Sequence, residues 1–559
     1  MHQIISFHNL GSNMLDYNLL AHSICRIKKS FFGISRWCNK TKYQEISVKK
    51  LVAINLLIFS VLLDYNFAQT ARQRQARPNG KPSVSTASRA EFSVPFVSRT
   101  LSNGLEVIVL SDHSVPIVTV ELAVRNGSFT EPPELNGLSH LYEHMFFKTN
   151  KATLLRQCEP LISRGGTSPM CDEPMRLKSS IGDVSYLSNI DSLGISYNGS
   201  TREEVVNYYF TTAGANIATA MRVINDSVRY PLFDEEEFEN EKQVVIGEIE
   251  RNEANPYYYL TRELNDKLFY KYPTRKNPAG TISTVAGATT TKMRLIQSRY
   301  YYPNNSALVV TGDVDAEAVF KTAEEIMGNW EKRPVDPFKE FPLVEHPPLA
   351  KSEGVIVEKN TGEEEQSSEQ NVFIQIGWQG PSIGKDDAST YAADVFSYIL
   401  SQPDHRFQRN LVDSGLASSA AINYYTQRNI GPITIFLITT PEKAKAALKA
   451  TYAEIDKFTD PQYFAAEELS NSKTILESMD LFEREKPSEY AHTLGFWWSS
   501  TGINYFRGYH KNLGAVSRAD IAKYVNTYII GKPHVAIALL SPDARKRSGL
   551  TEQDLIGGK

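Results

Sequence analysis

The chain has 559 residues, 41% of them hydrophobic and 22% charged, with a formal net charge of −4. That is ordinary globular composition at a length for two or more domains. Near-balanced charge with scattered basic residues excludes a global field favouring nucleic acid or an anionic membrane surface, and no nucleic-acid motif is present.

In chain order, residues 1–47 show no periodicity and read as a doubtful leader. "VKKLVAINLLIFSVLLDYNFAQ" follows, with Lys49 and Lys50 before an apolar run from Leu51 to Leu63. Such a run is short for a bilayer span and fits the hydrophobic region of a secretory signal, residues 48–68, cleaved after Ala68. The expected start is Val48, and the expected destination is the bacterial periplasm or the medium, with no stable membrane span in the mature chain. Of the four cysteines, Cys25 and Cys38 fall in the leader. Cys158 and Cys171 remain, an even pair closing a short loop, expected to form a disulfide in an oxidising compartment. Residues 69–91 are polar and rich in Pro, Ser and Arg, too poor in apolar side chains for a core, and read as a flexible linker.

Folded sequence begins near Phe92. "TLSNGLEVIVLSD" predicts a hairpin turning at Asn103-Gly104, and "IVTVELAVRNGS" a further strand. "GLSHLYEHMFFK", Gly137 to Lys148, then predicts a helix, because Leu135, Leu138, Tyr142 and Met145 recur at helical spacing. His140 and His144 are four apart and share a helix face, a spacing at which two imidazoles grip one zinc ion. Glu143 stands between them, near enough to take a proton from a zinc-bound water.

A catalytic zinc wants a third protein ligand. "DEEEFENEKQVVIGEIERNEANP", Asp234 to Pro256, predicts a second helix with an acidic first turn, ended by Pro256. Glu241 and Glu248 lie two turns apart on one face, with Val244 and Val245 between them read as core contacts. A carboxylate on that buried face is costly unless it meets a cation.

His-x-x-Glu-His followed by "EKQVVIGEIE" resembles the pitrilysin/insulinase family of zinc peptidases, the inverzincins, and in size its bacterial members similar to mitochondrial processing peptidase. "YNGSTREEVVNYYFT" and "RYYYPNNSALVVTGDVD" resemble further family segments, and the resemblance spans roughly Phe92 to Asp543. It implies Zn²⁺ bound by His140, His144 and Glu248, Glu143 as general base, Glu241 orienting a ligand histidine, and Asn198 contacting substrate. The implied activity is zinc-dependent endopeptidase hydrolysis of extended or unfolded polypeptides. The alternative is an inactive subunit kept for assembly.

The sequence departs from the family pattern in two places. An insertion near residues 151–180 holds both mature cysteines and, with "RGGTSPMCDEP", reads as a loop beside the active-site helix. In "NLVDSGLASS", Val412 and Ser418 stand where the family often carries an Arg and a Tyr that touch the substrate carbonyl, though Arg406, Arg409, Tyr424 and Tyr425 are nearby. The second departure implies a heterodimer with a homologue supplying that pair.

"YYYPNNSALVVTGDVD" has an echo in "YIIGKPHVAIALLSPD", Tyr302 to Tyr528 being 226 residues, one domain's length. "DDASTYAADVFSYIL" occupies the place of the zinc helix in the second copy and lacks His-x-x-Glu-His. The expected class is α+β: two homologous halves, each a mixed, largely antiparallel sheet with helices, facing each other as a clamshell. The expected divisions are a catalytic zinc domain over 92–330, a linker over 331–371, a non-catalytic homologous domain over 372–545 and a tail over 546–559. His346 in the linker is read as solvated.

Overall fold

Aliphatic runs of alternating or complete burial pair into two sheets in the computed structural model, which describes residues 94–187, 194–360 and 371–557. The expected leader, signal segment and first linker lie outside those residues. The first sheet contains β1 (Val97–Thr100), β2 (Glu106–Ser111), β3 (Ile117–Val124), β4 (Ser196–Thr201), β5 (Val206–Ala213) and β6 (Ser306–Gly312). Their order is β1-β2-β6-β3-β5-β4, with β2 and β6 parallel and every other pair antiparallel. β6 is buried along its whole length, as a central strand of apolar sequence should be. β4 lies at an edge, and its first three residues are exposed.

On one face of this sheet lie α1 (Leu138–Phe146), α3 (Ile217–Arg229), α4 (Glu235–Ala254), α6 (Thr290–Tyr300) and α7 (Ala316–Met327). Between α1 and α3 the insertion is helical, a correction to the loop reading. Asn150 caps α2 (Lys151–Ser163) by accepting from Ala152 and Thr153, and three shorter helical turns run from Pro169 to Ile181. Turn-forming residues are confined to its middle, while Leu154, Leu155 and Cys158 give α2 a buried face. Cys158 and Cys171 are joined by a disulfide.

The second sheet repeats the plan. Its strands are β7 (Glu353–Glu358), β8 (Val372–Gln379), β9 (Ser419–Tyr424), β10 (Pro432–Thr439) and β11 (Val535–Leu540), ordered β7-β11-β8-β10-β9, with β7 and β11 parallel. Its helices follow the same chain order: α8 (Asp387–Ser401), α9 (Ala444–Ile455), α10 (Ala466–Glu483), α11 (Pro487–Ser500), α12 (Ile503–Ala515), α13 (Arg518–Tyr528) and α14 (Pro542–Ser548). α6 ends at Tyr300 and leads to β6, and α13 ends at Tyr528 and leads to β11, which is the sequence echo in three dimensions.

Each half lends a helix to the other. α5 (Pro256–Leu268), capped by Asn255, lays Leu260, Leu264 and Leu268 against Phe373, Val535, Ile537 and Leu539 of the second sheet. Each buried leucine contributes about 2 kcal/mol. In return α11 packs Ala491, Leu494 and Trp497 on Ile108, Ala123, Ala307 and Val309 of the first sheet. At that contact the carboxylate of Glu121, fully buried on β3, meets His492 and accepts from Asn207 at 2.9 Å.

Three expectations are corrected. The stretch expected as linker contributes β7, because "GVIVE" can pair with β11. His346 is buried against Phe269, with ring centroids 4.8 Å apart, and burial pushes its imidazole down to about 3, with Lys276 and Arg275 adding to the effect. In the expected tail, Leu550 and Leu555 are buried in the second core. Among the described residues no helix is long and apolar enough to cross a membrane.

Candidate metal centre

The N-terminus of α1 is held from outside the helix. Its N-cap, Gly137, has φ of 86° and no side chain to cap with. The buried Glu131 does this work, accepting from Gly137 N–H at 2.8 Å and Ser139 N–H at 2.6 Å. Burial pushes the Glu131 carboxyl up to about 7 against those bonds. A Cβ at Gly137 would lie 2.7 Å from the carbonyl oxygen of Ala279, so the helix start fits its neighbour only as glycine.

α1 buries Leu138, Leu141, Tyr142, Met145 and Phe146. Phe146 stacks on Tyr208 of β5 at 3.7 Å, and Tyr142 stacks on Tyr301 at 4.2 Å. With that face committed, His140, Glu143 and His144 turn toward α4 and β4. Asp234 caps α4 by accepting from Glu236 and Glu237. Glu241, Val245 and Glu248 follow at helical spacing on the face toward α1, Val245 being fully buried. Val244, read as core, is 49% exposed because it sits off that stripe.

His140 Nε2 and His144 Nε2 each lie 3.6 Å from the same oxygen, Glu248 Oε2. Ligand atoms bound at about 2.0 Å in a tetrahedron stand a little over 3 Å apart, so this donor set fits a zinc ion. Among the described residues it is the one cluster of at least three His, Cys, Asp or Glu side chains whose donor atoms all lie within 4.8 Å of one another. His144 Nδ1 faces Glu241 Oε1 at 3.0 Å, the arrangement that directs Nε2 toward a metal.

The electrostatics follow from burial and these neighbours. Burial, then the positive neighbour His144, pushes His140 down to about 4. Burial alone would lower His144 as well, but the Glu248 and Glu241 carboxylates bring it up to about 9. The hydrogen bond from His144 holds Glu248 below the usual carboxylate range. Burial pushes Glu143 up to about 7, opposed by His144 and Thr201. Such a carboxyl is poised to exchange a proton near neutral pH.

The edge strand completes the site. Thr201 Oγ1 donates to Glu143 Oε2 at 2.9 Å. A Cβ at Gly199 would lie 2.7 Å from Glu143 Cγ, so β4 approaches Glu143 through a residue without a side chain. Gly199 and Thr201 share one strand face by alternation. Asn198 lies on the other, paired with Tyr209, its Oδ1 accepting from Gly199 N–H at 2.9 Å. Asn198 entered the expected site through the family resemblance, whereas the period-2 pattern of the strand singles out Gly199 and Thr201.

The alternatives to the missing Arg and Tyr are engaged elsewhere. Arg406 binds Glu454 at 3.1 Å, and Arg409 donates to Asp404 O at 2.6 Å. Tyr424 donates to Pro381 O at 3.0 Å, and Tyr425 to Glu203 Oε2 at 3.4 Å. Val412 packs at the edge of the second core, and Ser418 N–H bonds Ile438 O at 2.8 Å. Two open cavities of about 660 and 530 Å³ share Met175 and Arg176 on the insertion, and neither is lined by His140, Glu143, His144 or Glu248.

Known proteins match the chain in both of its halves. The family model "Insulinase (Peptidase family M16)" matches residues 106–172 and 173–281, its break falling in the helical insertion, and "Peptidase M16 inactive domain" matches residues 288–476. Zinc protease PqqE of Helicobacter pylori is 22% identical over 439 residues, covering 77% of this chain and 89% of its own. The "Uncharacterized zinc protease YmxG" of Bacillus subtilis is 26% identical, covering 67% and 81%. The "Probable mitochondrial-processing peptidase subunit beta, mitochondrial" of Arabidopsis thaliana is 22% identical, covering 79% and 78%. Among solved structures, a protease from Helicobacter pylori superposes with a TM-score of 0.65 at 19% identity, covering 79% of this chain and 99% of its own. An M16-like peptidase from Alicyclobacillus acidocaldarius superposes with a TM-score of 0.64 at 18% identity, covering 80% and 99%. These two likenesses show the fold. With its repeated two-sheet architecture and its family matches in both halves, the chain belongs to the M16 family of insulinase and pitrilysin peptidases.

Proposed function

We propose that the chain is a zinc-dependent endopeptidase that hydrolyses extended peptides or unfolded polypeptides. The observation that carries this reading is the convergence of His140 Nε2 and His144 Nε2 on Glu248 Oε2, 3.6 Å from each. His140, His144 and Glu248 would hold the zinc. When bound, the ion supplies Lewis acidity and lowers the pKa of a water at its open position. Glu143, oriented by Thr201, takes the proton of the attacking water and returns it to the leaving amine. Glu241 keeps His144 in the tautomer that ligates. β4 offers an exposed strand edge to which an extended peptide can add by backbone hydrogen bonds, with Asn198 on that strand for substrate contact.

The Cys158–Cys171 disulfide favours export to the periplasm or the medium, processed after Ala68. Val412 and Ser418, in place of Arg and Tyr, favour a heterodimer whose partner supplies that pair. The second reading, an assembly subunit, draws on the second half, which matches an inactive domain and lacks His-x-x-Glu-His. Metal analysis of the native protein with a quenched-peptide assay, with and without chelator, tests the peptidase reading. Bound zinc and chelator-sensitive cleavage are expected. A chain with neither would leave the assembly role.

A further inference from the structure

We propose that Lys148 is a positioning residue of the metal centre. It pins Glu241 so that Glu241 in turn holds His144 in its ligating orientation, and this rests on the zinc reading above. Lys148 Nζ lies 2.6 Å from Glu241 Oε2, while Glu241 Oε1 faces His144 Nδ1 at 3.0 Å. Lys148, Glu241, His144 and the metal position therefore form one chain of contacts. Glu241 is nearly enclosed, its side chain 11% exposed, so its oxygens need partners within the protein.

Two physical effects follow. Glu241 has two oxygens and only one His144 Nδ1–H to accept. Without a partner for Oε2, the carboxylate could rotate away from His144 or reach toward the metal and compete with the imidazole. The ammonium removes that freedom. Lys148 also supplies a cation in direct contact with Glu241, the carboxylate of the site that does not ligate.

The local chain explains how Lys148 gets there. α1 ends at Phe146, and Lys148 N–H bonds Met145 O at 3.2 Å as the helix unwinds. Thr149 donates to Glu237 through its N–H at 3.1 Å and through Oγ1 at 2.6 Å. Glu237 and Glu241 are one turn apart on α4, so Lys148 and Thr149 strap the exit of the histidine helix to two successive turns of the carboxylate helix. Sequence spacing does not reveal this lysine, whose partner lies 93 positions downstream.

The test measures zinc affinity by competition with a chromophoric chelator, alongside the melting temperature of the metal-free chain. Lys148→Met should weaken zinc binding about 10-fold, the low end for loss of an outer partner of a metal ligand. The metal-free melting temperature reports separately any loss of fold stability from removing one partner of a carboxylate as enclosed as Glu241. Lys148→Arg should keep zinc affinity. In a Glu241→Gln background Lys148→Met should cost nothing further, since the two act through one contact. Lys148→Gln gives the same reading if methionine upsets packing. Parental zinc affinity in Lys148→Met, or a full further loss in the Glu241→Gln background, overturns the role of Lys148. A parent chain that binds no zinc overturns the metal-centre reading itself, and with it this proposal.

Discussion

Thr201 and Glu143 are joined across the gap between the edge strand and the histidine helix by a hydrogen bond of 2.9 Å from Oγ1 to Oε2. The bond leaves Glu143 one oxygen free to take a proton. Glu143→Gln should therefore keep zinc but lose about 10²- to 10⁴-fold in kcat, the range for a positioned general base. Thr201→Val, of nearly the same shape, should keep zinc and lower kcat about 10-fold as the carboxylate gains freedom. Metal content and peptide kinetics on both variants check this. Full kcat in Glu143→Gln would remove the base from the mechanism.

Gly199 tests the same contact by filling it. An added Cβ would lie 2.7 Å from Glu143 Cγ and 2.8 Å from Oε1, closer than atoms pack. Gly199→Ala must push Glu143 aside, at about 1–3 kcal/mol for such overpacking. Activity should fall at least about 10-fold with zinc retained, because the ligands lie on the two helices and not on β4. Unchanged kinetics would mean that Glu143 moves freely in the working enzyme.

The disulfide joins Cys158 of α2 to Cys171 within the insertion, and neither cysteine is among the donors of the His140, His144 and Glu248 cluster. Cys158 and Cys171 are 13 positions apart, a loop length for which cross-linking contributes about 3 kcal/mol by limiting the unfolded chain. Cys171→Ser should lower the urea midpoint, or expose the insertion to limited proteolysis first, while leaving zinc content unchanged. Loss of zinc from that variant would show that the insertion props the metal site directly.

The convergence of His140, His144 and Glu248 was readable because helical period ties the residues of each helix to one another. His140 and His144 share a face at four residues, Glu241 and Glu248 at seven, and no other contact is needed to predict that each pair points one way. The two-sheet repeat was readable for a similar reason, since the strands at residues 306–312 and 535–540 follow matching tyrosines. What escaped detection depends on distant chain. β7 reads as linker until β11 is beside it, His346 as solvated until Phe269 covers it. The insertion reads as a loop because Gly165, Gly166 and Pro169 dominate its middle, though Leu154, Leu155 and Cys158 before them find partners of their own. Lys148 and Glu131 act on the site through partners that no spacing rule connects to them.

Glu131 gives a dependence on pH whose sign is fixed. Burial raises its carboxyl from the ordinary 4.5 to about 7 in the folded chain. Between those values the folded state holds a proton that the unfolded state has released, so rising pH favours unfolding. The stabilisation is fully present below pH 4.5, is lost as pH climbs to about 7, and changes no further above it. Glu143, also raised to about 7 by burial, adds in the same sense in the metal-free chain. These two groups therefore contribute a fall in the urea midpoint of the chelated protein between pH 5 and pH 8, opposed up to about pH 6.5 by His140 and His346, which burial holds neutral in the folded chain. Glu131→Gln, neutral at every pH, should lose part of that fall. A slope identical to the parent's would show that Glu131 is ionised throughout, held so by the amide N–H groups of Gly137 and Ser139.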